Sequence, residues 1–592
     1  MRIGTRLILL LIILLPACKK ENPEEKARAF FKAFKSNFMD DYWRHFPESA
    51  TLNGYHAYDS ELRIPDDSAR RETRDFAGAI LEKLNAVDAG LLDPRDRSDY
   101  FLIRNEMQSQ LWYSDTLKPW AWQPSYYNPG ALVGYMLRGR YEPLEARLRH
   151  ILERLEKLPA YYDAAQASIR KPSKPHTEMA RVITDGMIEL LEKDIPDSLR
   201  QAGLYGSKDR ETLDRALHAA RSFRGFLDRL MEKGAFRDFR PGEALYERKF
   251  ELDLQSDYTP ESLREAALYE KEEAHTQILR LTQKLWPKYF AEERSTFSLA
   301  ESARLIDRIS EKHTTPDSFL QAIRRQLPEL IRFIREKDLL FIDPEKPLKV
   351  RVAPKYLRGI AIASISAPGP YDKYENTWYN VSPVWEMDEE AAESYLREYN
   401  DYMMQILNIH EAIPGHYVQL VYANESPDII KSIFGSGSMI EGWACYAERM
   451  MLEEGWGENS PELRLMYYKW YLRIIGNSLI DIGVHSRGWE RDSVLRFLTE
   501  EAFQERSEAE GKWRRVQRSS VQLCSYFAGL IEILDLRDEI KSRKGDGFDL
   551  KNFHERFLSY GSIPVKYIRR LMLTETDEAP ARDHSEVPDE RR

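Results

Sequence analysis

Apolar residues recur at three- and four-residue intervals through residues 27–38, 69–84, 97–112, 144–167, 176–191, 209–233, 260–285 and 316–337, separated by short polar breaks. That spacing gathers apolar side chains on one face of an α-helix, so the first half of the chain predicts long helices packed on one another. Strands do not alternate with these helices and no fixed-period repeat is present. A mainly α architecture follows, rather than a parallel sheet or a solenoid. The period drops to two at 348–353 and 377–382, which read as strands on either side of Pro368-Gly369-Pro370. Helical spacing returns at 388–421, 437–455 and 460–489. An aromatic turn, Tyr126-Tyr127-Asn128-Pro129-Gly130, reads either as part of a cleft wall or as core.

The two ends read differently. Arg2 and Arg6 precede a nine-residue apolar run, residues 7–15, which is too short to span a bilayer and has the form of an export signal. Leu15-Pro16-Ala17-Cys18 resembles a bacterial lipobox, in which the cysteine is acylated after cleavage. The expected layout is a signal peptide at 1–17, lipid attachment at Cys18, a tether at 18–24 and one folded unit at 25–573. Within that unit, a helical lobe at about 25–340 is expected to precede a motif-bearing lobe at about 341–573. Lys19 after the cysteine favours an outer-membrane anchor facing the periplasm where such a membrane exists. Polar, acidic residues 574–592 read as a disordered tail.

Composition is that of a folded protein: 592 residues, 42% hydrophobic and 11% aromatic. A net charge of −10 gives no basis for nucleic-acid binding. With Cys18 assigned to the leader, Cys445 and Cys524 are too few for a disulfide framework, and whether they pair is open.

The candidate chemistry lies in Ile409-His410-Glu411-Ala412-Ile413-Pro414-Gly415-His416. A His-Glu pair followed by a second His is how a zinc hydrolase supplies two imidazole ligands and a carboxylate base. Ligands usually stand at i and i+4, whereas six residues turn an ideal helix through roughly 600° and raise it about 9 Å, so the two rings face apart. Pro414 removes an intrahelical donor and Gly415 allows unusual dihedrals, so a bulge here can swing His416 back. The other reading is a helix ending at a turn between two unrelated histidines. Glu441, on the apolar segment Ser438-Met439-Ile440-Glu441-Gly442-Trp443-Ala444-Cys445-Tyr446-Ala447-Glu448, is the candidate third ligand. Glu448, seven residues on and nearly on the same face, reads as support for a ligand or as a salt bridge to Arg449.

HEAIPGHYVQ followed by EGWACYAE resembles a large bacterial family, domain of unknown function 885, whose members look like all-helical zinc metallopeptidases. The resemblance runs from Pro47-Glu48-Ser49-Ala50-Thr51-Leu52-Asn53-Gly54 to Phe553-His554. It implies a two-lobed, helical metallopeptidase-like fold with a deep cleft and a small β-sheet beside the zinc helix. It also implies one Zn2+ held by His410, His416 and Glu441, with Glu411 as base. Asp481-Ile482-Gly483-Val484-His485 matches a family element, although Asn477 stands where an Arg is usual. His485 is then an oxyanion donor oriented by Asp481, or a core histidine. Arg515, Gln522 and Ser525-Tyr526-Phe527-Ala528-Gly529 match a further stretch, with Val516, Ser520 and Val521 replacing the family's Tyr, Pro and Gly. Tyr526 is the expected oxyanion donor and Arg515 a group for a substrate carboxylate. Tyr379 and Asn380 are expected to touch substrate if their strand is an exposed edge that binds extended peptide; a structural hairpin is the other reading.

The expected function is therefore zinc-dependent hydrolysis of short peptides, carboxypeptidase- or dipeptidase-like, by a protein anchored to the cell envelope. The alternatives are a metal-free, lipid-anchored binding protein with a degenerate site, and hydrolysis of a non-peptide amide or ester.

Overall fold

The computed structural model describes residues 22–354, 363–372 and 376–574. The signal peptide, Cys18, most of the tether and the tail beyond Thr574 lie outside the described residues. Among the described residues the protein is mainly helical, with one small sheet, and no helix is long and apolar enough to cross a membrane.

Helix starts follow local chemistry. Asp66, Asp93 and Thr259 each accept hydrogen bonds from backbone amides of the first turn they cap, and Pro94 and Pro260 open their helices where no intrahelical N–H is needed. Observed helices such as Asp67–Asn85, Ser207–Lys233, Pro260–Tyr289 and Pro461–Arg487 match their predicted spans to within a few residues. The pattern at 144–167 divides into Leu144–Glu156 and Leu158–Ser168, because Pro159 suits a helix start and not an interior. The pattern at 388–421 divides into three helices.

Buried apolar side chains form two clusters. The smaller joins Leu62 to helices between Pro129 and Lys233, and the larger runs from Phe31 through the sheet to Met572 without a break at residue 340. A polar knot ties segments of both. His56 Nδ1 and Nε2 lie 3.0 and 2.9 Å from carboxylate oxygens of Asp59 and Asp372, and the ring stacks at 3.5 Å on Tyr141. Tyr141 and Tyr135 donate their hydroxyls to the same two carboxylates.

Three strands make the sheet: β1 (Leu348–Val352), β2 (Ala363–Ser366) and β3 (Thr377–Val381), in the order β1-β3-β2. β1 and β3, the two strands expected from the sequence, run parallel, with Leu348 opposite Thr377 and Val352 opposite Val381. β2 pairs antiparallel on the other side, with Ala363 opposite Val381 and Ser366 opposite Trp378. The expectation of an edge strand at 377–382 is therefore corrected: β3 is central and its backbone is paired on both sides. Ile365 between Ser364 and Ser366 carried a period-two signal, but four residues bracketed by no other strand pattern are a weak one.

Burial alone would lower the His56 pKa, but its two carboxylate neighbours raise it to about 9. The bound proton therefore stabilises the folded state fully below the unfolded value of about 6.5, and that stabilisation is lost as pH rises through 9. Urea titrations of the native protein and a His56→Gln variant should show a stability difference that is constant below pH 6 and shrinks between pH 6.5 and 9.

Candidate metal centre

The helix carrying the first motif residues, α1 (Met403–Glu411), ends abruptly. The amides of Ala412 and Ile413 both return to the Asn408 carbonyl at 3.0 Å, and the Gly415 amide reaches back to the Ile409 carbonyl at 2.9 Å. Pro414 has no N–H with which to extend the ladder, so a second helix, α2 (His416–Asn424), begins afresh. Gly415 sits so close to the end of α1 that a Cβ there would lie 1.9 Å from the His410 carbonyl oxygen, which only glycine accommodates. The expected bulge within one helix is thus a complete break between two. It turns the imidazoles toward each other, with ring centroids 4.7 Å apart at 84°.

The next helix, α3 (Gly437–Glu453), is fixed to the break by the Trp443 indole N–H, which donates to the Pro414 carbonyl at 2.9 Å. Glu441 projects between the two rings, with Oε2 3.4 Å from His416 Nε2 and 3.7 Å from His410 Nε2. Two donors about 2.0–2.1 Å from a tetrahedral zinc stand roughly 3.4 Å apart, so the spacing suits that ion. Glu441 Oε2 and His416 Nδ1 are buried with no hydrogen-bond partner among the described residues. Behind His410, Nδ1 lies 2.6 Å from Oε1 of the fully buried Glu448. That carboxylate holds the proton on Nδ1 and leaves Nε2 as the donor atom facing Glu441. Arg449 pairs instead with Glu453, which decides the role of Glu448. Cys445 completes a second triple of donor types with His410 and Glu448, all three buried.

Close helix contact sets this arrangement. After α4 (Pro461–Arg487) and α5 (Arg506–Arg518), α6 (Cys524–Lys544) crosses α3 at Gly442 and Gly529, where a Cβ on Gly529 would lie 1.7 Å from the Ser438 carbonyl. Backbone touches backbone there, so Glu441 on α3 and Tyr526 on α6 face the same centre. The Tyr526 ring lies 6.3 Å from His410 and nearly parallel to it. Arg515 on α5 donates to the Tyr526 hydroxyl oxygen at 3.0 Å and to Gln522 at 2.7 Å. Glu411 is half-buried and has no hydrogen-bond or ion-pair partner among the described residues. Burial raises its pKa, while His416 and His410 pull the other way. Burial would also raise Glu441, but the two imidazoles hold it well below the usual carboxylate range.

Three expected site residues lie elsewhere. His485 Nε2 is 2.9 Å from the Val516 carbonyl and 3.3 Å from that of Ser519, so its N–H closes the end of α5 and is not aimed at a substrate oxyanion. Asp481 does not orient it. Its Oδ1 accepts from the Tyr246 hydroxyl and the Val521 amide, both at 2.8 Å, and His485 Nδ1 has no hydrogen-bond partner among the described residues. That second bond holds a turn at Val521, φ +73°. Tyr379 is fully buried and donates to Asn408 on α1 at 2.9 Å, so it positions the helix and does not contact substrate. Asn380, 1% exposed, accepts from Arg351 and donates to Ser366 inside the sheet. β2 also packs against α1.

A family profile described as a bacterial protein of unknown function, DUF885, matches residues 47–572. The fold is similar to a solved structure from Shewanella oneidensis described as a "putative lipoprotein of unknown function", at 45% identity and TM-score 0.82, covering 92% of this chain and 99% of that one. A second structure of that description's kind, the "putative lipoprotein" from Colwellia psychrerythraea, shares the fold at 16% identity and TM-score 0.73, covering 94% of this chain and 99% of that one. No curated protein matches.

Because His485 joins α4 to the end of α5, His485→Ala should lower the unfolding free energy by about 2–4 kcal/mol, the sum of a small cavity and unpaired carbonyls. Metal content of the folded fraction should not change. Urea denaturation with metal analysis of the same sample checks both.

Proposed function

Starting from a chain that belongs to the DUF885 family, we propose that it is a zinc-dependent hydrolase that cleaves peptide bonds of short peptides at the cell envelope. The observation that carries this reading is the meeting of His410, His416 and Glu441, whose donor atoms lie within 4.8 Å of one another, around buried atoms without hydrogen-bond partners. Those three residues would hold the ion, and Glu448 would keep His410 in the required tautomer. Zinc bound there supplies a water of pKa near 7 and polarises a carbonyl.

The remaining chemistry belongs to side chains. Glu411, adjacent to one ligand and otherwise unpartnered, takes a proton from the attacking water at a carboxylate oxygen and passes it to the leaving amine nitrogen. Tyr526 receives a hydrogen bond from Arg515 at its oxygen, which leaves the phenol proton to donate to a carbonyl oxygen as that atom gains charge. β2 packs against α1 and among the described residues has a strand on one side only, so it would take the part first assigned to residues 377–382, binding an extended peptide. Because His410 is 5% exposed, only a narrow chain end reaches it, which favours short peptides over folded proteins. The lipobox at Cys18, together with relatives described as lipoproteins, supports anchorage at the envelope, and Lys19 after the cysteine favours the outer membrane, facing the periplasm, where the cell has one.

The purified protein should take up close to one zinc per chain, and His410→Ala or Glu441→Ala should lose it. Glu448→Ala should weaken zinc binding by about 10–100-fold. Glu411→Gln should keep the metal while hydrolysis falls by about 100–10,000-fold. Metal analysis, competition with a chelating dye and a peptide-cleavage assay measure these. A folded protein that takes up no zinc would leave the metal-free binding protein as the surviving reading.

A further inference from the structure

Two aromatic rings flank His410, and each leads to an arginine. The Trp470 ring lies 6.0 Å from His410 with the Arg473 guanidinium 5.1 Å from its own centre, and the Tyr526 ring lies 6.3 Å from His410 with Arg515 hydrogen-bonded to its hydroxyl. The two arginines are balanced differently. Arg473 pairs with Glu508 and lies 3.6 Å from Glu398, whose other oxygen takes Lys469 at 2.7 Å. Both carboxylates are thereby used. Among the described residues Arg515 donates only to the neutral oxygens of Tyr526 and Gln522.

Between the arginines stands Lys512. On α5 it follows Glu508 by four residues and precedes Arg515 by three, so the three share one face and Lys512 is a helical turn from each neighbour. It is only 4% exposed, yet it has no hydrogen-bond or ion-pair partner among the described residues. A buried ammonium without a partner is costly, and a second cation one turn away raises that cost. Glu508 and Glu398 offset part of the Lys512 charge, but both already pair with Arg473 and Lys469.

We propose that Lys512 and Arg515 form the binding site for the free α-carboxylate of the substrate, one or two residues beyond the scissile bond. The anion supplies a charge that the two cations lack, and Arg515 is joined to the His410 side of the site through Tyr526, whose ring centre lies 6.3 Å from that of His410. A residue of extended chain spans about 3.3–3.6 Å, so the distance admits roughly one or two residues on the leaving side. Burial, then the charges of Arg473 and Arg515, hold the Lys512 amine well below its usual range in the free protein against the partial offset of Glu508 and Glu398, and an incoming carboxylate would add to that offset. This inference rests on the peptidase reading and narrows it to enzymes that release a residue or dipeptide from a carboxyl terminus. It gives Lys512 a role that the sequence reading did not assign.

The test uses zinc-loaded Glu411→Gln protein and two probes, acetyl-Ala-Ala-Phe and its C-terminal amide, with binding followed by calorimetry. The acid should bind at least ten-fold more tightly than the amide, and Lys512→Met in the same background should remove that preference while leaving amide affinity unchanged. Equal affinity for acid and amide, or no binding of either, overturns the proposal before any lysine variant is needed. An equal loss for both probes on Lys512→Met also overturns it, because it marks a packing role. Hydrolysis by the native protein separates the two readings: cleavage indifferent to the terminal charge keeps the hydrolase and removes the carboxylate site. Acid-selective binding without cleavage does the reverse.

Discussion

The contact on which the rest depends is that of Gly415 with the backbone of the helix it has just left. With the amide of residue 415 bonded to the Ile409 carbonyl and its Cα pressed against the carbonyl of His410, the chain has reversed within four residues. Any side chain at that position would push the segments apart by more than an ångström, and His416 would be carried away from His410. The break is held from outside as well, since Trp443 donates to the carbonyl of Pro414. The residue that locks the break and the residue that completes the donor set, Glu441, lie within one turn of the same helix.

A second constraint is charge. Within a few side chains of His410 the protein buries Glu448 and Lys512 and half-buries Glu441, Arg473 and Arg515, groups that are ordinarily kept in water. Some of this is settled internally: Glu448 by His410, Arg473 by Glu508, Lys469 by Glu398. The remainder, Glu441 Oε2 on one side and Lys512 on the other, makes no hydrogen bond among the described residues. That pattern fits two separate ligands, a cation and an anion, a short distance apart, which is what hydrolysis at the carboxyl end of a peptide requires.

Replacements within the family motif had smaller effects than local rules suggest. Val521 stands where the family has Gly, and its positive φ is unusual for a β-branched residue. The turn persists because Asp481, forty residues away in sequence, holds the Val521 amide. The same carboxylate is thereby withdrawn from His485, and the Asp-x-Gly-x-His element becomes a brace between α4 and the end of α5.

Much of this was legible in the residues themselves. Three- and four-residue periodicity locates nearly every long helix, because a helix that buries one face must repeat its apolar positions. Proline and glycine at 414 and 415 mark the break, because their backbone limits are local. The types of donor at 410, 416 and 441 mark the candidate ion. Other features were decided only by packing. β3 is central because β2 pairs along its second edge, and four short residues announce no partner. Tyr379 faces Asn408 and His485 faces a helix end because distant segments arrive there, and a side chain's hydrogen-bond partner is not a property of its neighbours in sequence. Lys512 was invisible for the same reason: a lysine on a charged helix looks solvated until tertiary structure removes the water and commits the nearby carboxylates, Glu508 and Glu398, to Arg473 and Lys469.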